Sequence, residues 1–136
     1  MEVDLALLAD AATIDAAGKL NILGIFDHLS TGSLPAQHPH MVLILRFAAS
    51  VQEMGRHNVT ISLRDPRGGE AIHIDGEMHL GSGAGAVGEG IKVPHILHLD
   101  GLVFPSAGRY AFDVRVDGEH HVSVPLTVSG PARAEA

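Results

Sequence analysis

The chain has 136 residues, 46% of them hydrophobic but only 4% aromatic, with no Cys, no Trp and a formal charge of −7 at pH 7. That length suits one domain whose core must be built from Val, Leu, Ile, Ala and Met, and the lack of cysteine excludes disulfides, thiolate metal sites and cysteine nucleophiles. The nine basic residues are scattered, which argues against nucleic acid and anionic membranes as partners, since binding phosphate chains needs clustered Lys and Arg.

No apolar run approaches the ~20 residues that span a bilayer. Glu2 and Asp4 stand where a secretory leader would carry basic residues, so a cytosolic chain is expected. Ten histidines are many for this length. Their protonation near pH 6 would offset the whole negative charge.

Period two dominates from the start. VDLALLADAAT (3–13) and LNILGIFDHLS (20–30) flank an Asp/Gly turn at 15–19 and predict a long hairpin, with strands over 3–12 and 20–30. In the second strand the even positions carry Leu20, Ile22, Gly24 and Phe26, and the odd positions Asn21, Leu23, Ile25, Asp27 and Leu29. A strand apolar on both faces must be covered on both, by core on one side and by a loop or another chain on the other. Asn21, Leu23, Ile25, Asp27 and Leu29 are therefore the candidate interface, for a homodimer or another protein partner.

MVLILRF (41–47) is apolar on nearly both faces and reads as a central strand. A single helical turn fits ASVQEMGR (49–56), and NVTISLR (58–64) alternates cleanly before the DPRGG turn at 65–69. The next strand, 70–80, sets His73, Asp75, Glu77 and His79 against Ile72, Ile74, Gly76, Met78 and Leu80. After it, Gly83, Gly85 and Gly88 match the spacing of a dinucleotide fingerprint, but EGIKVPHI follows where a helix N-terminus should receive the pyrophosphate. That segment reads as a loop. Strands are expected at 91–99, 109–117 and 120–129, the last two joined by a two-residue Asp117-Gly118 hairpin turn. Pro94 and Pro125 point to edge strands or bulges. Eight strands in all predict an all-β fold, a single Ig-like antiparallel β-sandwich over 1–129, with a disordered tail at 130–136.

Candidate chemistry is sparse. His73 and His79, joined by His95 and His98, could hold a metal ion, but neighbours on one strand face lie about 7 Å apart and need help from another strand. His95 and His98 have opposite parity, so they cannot both join that row. The charged row reads as a solvated strand face. His38-Pro39-His40 and His120-His121 read as exposed turn residues. No serine sits in a G-x-S-x-G elbow, and five Phe and Tyr side chains in all provide no stacking platform.

The stretch 5–29, with Ala9-Asp10, Gly18-Lys19 and LNILGIFD from Leu20 to Asp27, resembles the N-terminus of a family of small bacterial proteins of unknown function. Residues 107–126 resemble that family's closing hairpin through Gly108, Tyr110, Phe112, Asp117-Gly118-Glu119 and Pro125-Leu126. The resemblance implies an Ig-like sandwich and carries over no catalytic or ligand residue. The expected function is a non-enzymatic binding or scaffold domain, without a cofactor, acting through a sheet face or edge strand. The alternatives are a histidine-based metal-binding protein and a structural subunit of a larger assembly.

Overall fold

Alternating apolar and polar residues can bury one face only by stacking sheet on sheet, and the chain does so. A computed structural model describes residues 1–80 and 90–131. Those residues form nine strands: β1 (Glu2–Ile14), β2 (Leu20–Phe26), β3 (His28–Ser30), β4 (Ala36–Ala49), β5 (Gly55–Arg64), β6 (Glu70–Leu80), β7 (Ile91–Phe104), β8 (Gly108–Val116) and β9 (His120–Ser129). One 3₁₀ turn, Val51–Glu53, falls where a helical turn was expected. The first sheet has the order β2-β1-β4-β7 and the second β3-β9-β8-β5-β6. All pairings are antiparallel except β3 with β9. The core lies between the sheets, where Leu43, Leu45 and Phe47 of β4 pack with Leu63 of β5, Phe112 and Val114 of β8 and Leu126 of β9.

The strand expected at 20–30 is two strands. At Asp27 the chain leaves the first sheet, the Asp27 carbonyl oxygen accepts a bond from the Thr127 N–H, and His28–Ser30 runs parallel to Thr127–Ser129 in the second sheet. By serving both sheets the segment hides Leu29 against the main core. This raises the strand count from eight to nine and makes the second sheet mixed.

The other apolar face is also covered from within. Val42 and Ile44 alternate with the core residues of β4, so they point away from the core, yet both are fully buried. The far half of the β1–β2 hairpin lies on them: Ala12, Leu20 and Ile22 pack there with Ala9, Leu5, Leu7 and Ile96.

Three further expectations change. His38-Pro39-His40 is strand, because β4 begins at Ala36; Pro39 falls opposite Gly101, between the His38–Leu102 and His40–Asp100 pairs, and costs the ladder little. His120 and His121 likewise open β9. The β8–β9 connection has three residues rather than two: Val116 pairs with His120, Asp117 and Gly118 take φ of 53° and 71°, and the Glu119 N–H donates to Val116. Pro94 lies in β7, an edge strand. Pro125 pairs with β8 at Ala111, beyond the three residues where β3 covers the other side of β9. The Gly83–Gly85–Gly88 segment and residues 132–136 of the expected tail lie outside the described residues.

Candidate binding edge and the histidines

Every open sheet ends in strands with unpaired N–H and C=O groups, and proteins usually protect them with charge, proline or shortness. The four edges here differ in that respect. β3 has three residues. β7 carries Pro94 and Lys92. β6 presents His73, Asp75, Glu77 and His79 along its solvent side, all exposed. Between Leu20 and Phe26, β2 has no charged residue and no proline, and its Leu23 and Ile25 are 71% and 65% exposed. Asn21 and Asp27 are exposed beside them. Leu29 does not join this row, because it sits in the second sheet against the core.

The geometry of β2 depends on one cross-strand pair. The register sets Asp10 opposite Gly24, between the Ala9–Ile25 and Ala11–Leu23 pairs. Gly24 has φ +75°, and a Cβ there would fall 2.3 Å from the Asp10 carboxylate. Glycine is thus required both by conformation and by space. The Ala9-Asp10 and LNILGIFD motifs are therefore two sides of one contact. Next to Ile25, a cavity of about 350 Å³ opens among Leu8, Phe26, Val124 and Pro125.

The four candidate metal ligands do not converge. His73 and His79 are six residues apart on β6, about 20 Å along the strand. His95 pairs with Leu45 and so faces the core side of β7, whereas His98 pairs with Val42 and faces the opposite side, where it stacks on His40 with centroids 5.7 Å apart. Among the described residues, no group of three or more His, Cys, Asp or Glu is placed to hold a metal ion. His73 instead lies between Glu70 at 3.2 Å and Asp75 at 3.1 Å. Hydrogen bonding to Glu70, then to Asp75, raises its pKa above the ordinary histidine value. His95 moves the other way, because desolvation of the covered side of its ring lowers its pKa although much of the residue is open to water.

Sequence reading did not single out two polar clusters. His57, only 11% exposed, bonds the Asp117 carboxylate at 2.6 Å through Nδ1 and the Glu53 carbonyl oxygen through Nε2. Its bond to Asp117 is the main reason that carboxyl lies below its usual range. Asp4 lies between Arg46 Nε at 2.8 Å and Lys92 Nζ at 3.0 Å, and the Arg46 bond is the main cause of its lowered pKa. Partners separated by up to 88 residues leave no local pattern to read. Residues 4–129 fit the model of a family of unknown function, and no curated protein matches the chain.

Proposed function

The chain belongs to that family, DUF6941, and because the family carries no assigned function, we propose from the geometry alone that this is a non-enzymatic binding domain that pairs with a second copy of itself through the β2 edge. The carrying observation is the contrast among edges: β2 alone, of the four, is long enough to pair and has neither charge nor proline. Adding a strand to such an edge supplies main-chain hydrogen bonds, while pockets beside it take alternate side chains. The cavity next to Ile25 is suited to an incoming Leu or Ile. A second copy is favoured because a two-fold contact opposes like with like: at β2 that brings Leu and Ile together, whereas at β6 it would oppose Asp75 and Glu77 with carboxylates.

An immunoglobulin-like architecture for the sandwich belongs to the same reading. It is supported by the buried Tyr110 near the start of β8, whose hydroxyl bonds the backbone four residues upstream, as in the tyrosine corner of such domains.

Light scattering tests self-pairing. A dimer is expected at micromolar concentration, and Leu23→Lys with Ile25→Lys should yield a monomer with an unchanged circular dichroism spectrum. A wild-type monomer at high micromolar concentration, or a dimer that survives both lysines, overturns the proposal.

A further inference from the structure

We propose that the cleft between β6 and β7 is a binding site for a small, uncharged apolar molecule. β6 and β7 are the last strands of their respective sheets, and a cavity of about 360 Å³ enters the sandwich between them. Leu45, Phe47 and Ile61, all buried core residues, form its floor, and the half-buried Ile74, Met78 and Leu97 form its walls. Small-molecule sites run from roughly 300 Å³ upward and are mostly apolar with a few polar groups.

The cavity is lined by a glycine that the backbone does not need. Along β6 the inward positions are Ile72, Ile74, Gly76, Met78 and Leu80, so position 76 alone sends no side chain into the interior. Gly76 has no positive φ, and a Cβ there would meet only the Val59 carbonyl oxygen, at an ordinary 3.9 Å. Glycine inside a strand forfeits packing and raises the entropy lost on folding, and it often marks a place that something else approaches closely. At Gly24 conformation and Asp10 explain the glycine; at Gly76 neither does.

The polar groups at the mouth select the ligand's charge. Among the described residues that line the cleft, His95 and Glu77 are the titratable ones, Glu77 belonging to the outward row of β6 at the rim. With its pKa lowered by desolvation, the His95 ring is neutral near pH 7 and offers a hydrogen bond without charge. The Glu77 carboxylate repels anions. An apolar body with a neutral hydrogen-bonding head fits both.

The test is titration of the full chain with N-phenyl-1-naphthylamine, a neutral apolar fluorophore. Saturable one-to-one enhancement is expected. Gly76→Val, which puts a branched side chain into the cavity, should raise the thermal midpoint and weaken binding by about tenfold or more. The Leu23→Lys, Ile25→Lys protein should bind as the wild type does. Decanol should displace the probe at lower concentration than decanoate. Should Gly76→Val fail to fold, Met78→Lys at the wall must lower the affinity instead. Absence of saturable enhancement, equal binding by the filled variant, or decanoate displacing as well as decanol would each overturn the proposal.

Discussion

The Tyr110 hydroxyl donates a 2.8 Å hydrogen bond to the carbonyl oxygen of Ser106, while its buried ring meets Phe104 edge-on at 5.0 Å. The contact ties the β7–β8 connection to the core. Tyr110→Phe keeps the ring and removes the hydroxyl's bonds to the Ser106 backbone, so a loss of about 1 kcal/mol is expected. Ser106→Ala, which leaves the backbone acceptor in place, should cost much less. Urea midpoints of the two variants check this, and equal losses would contradict it.

Gly24 cannot accept a side chain. Gly24→Ala forces a non-glycine residue to positive φ and drives its methyl into Asp10, at an expected cost of about 1–3 kcal/mol. Asp10→Ala in the same chain should recover the steric part and leave the backbone part. Chemical denaturation of the single and double variants separates the two.

Ile44 points away from the main core, so it distinguishes a covered outer face from an open one. With the hairpin packed over it, Ile44→Ala should cost about 2–4 kcal/mol, comparable to Leu43→Ala on the core side. An uncovered Ile44 would cost well under 1 kcal/mol, as surface positions do. Calorimetry of both variants decides.

Two histidines should tilt the pH profile in opposite senses. His95 has a lowered folded pKa, so the unfolded chain binds more protons between that value and 6.5, and stability falls as pH drops through this window. His73 has a raised folded pKa; its contribution is present below 6.5 and is lost as pH rises through the raised value. His95→Gln should flatten the acid side and His73→Gln the neutral-to-alkaline side. Urea midpoints from about pH 5 to about pH 8.5 read both slopes. The His73 effect should be the weaker and should fade with salt, because that pair is exposed.

Much of this was legible in the order of residues because period-two alternation is local. Val59, Ile61 and Leu63, or Tyr110, Phe112, Val114 and Val116, announce their own strand and inner face. MVLILRF announced a central strand, and all five residues from Met41 to Leu45 are fully buried. The charged row on β6 was likewise readable as a solvent face. Asp27 was not readable as a boundary between sheets, because a switch of sheet leaves the alternation intact and is decided by a hydrogen bond to Thr127, 100 residues away. His38 and His40 looked like turn residues because Pro39 sits between them, and only their pairing with Leu102 and Asp100 of β7 makes the segment strand.

The sequence alone determined that the chain must stack pleated layers, since half its side chains cannot stay in water, and that LNILGIF needs cover on two sides. Tertiary structure alone decided what supplies that cover: the hairpin's own far half closes over Val42 and Ile44, leaving Leu23 and Ile25 outside. Alternation states which residues seek burial, but a fold-back, a sheet crossing and a cleft at Gly76 arise from distances between segments remote in sequence, which periodicity does not encode.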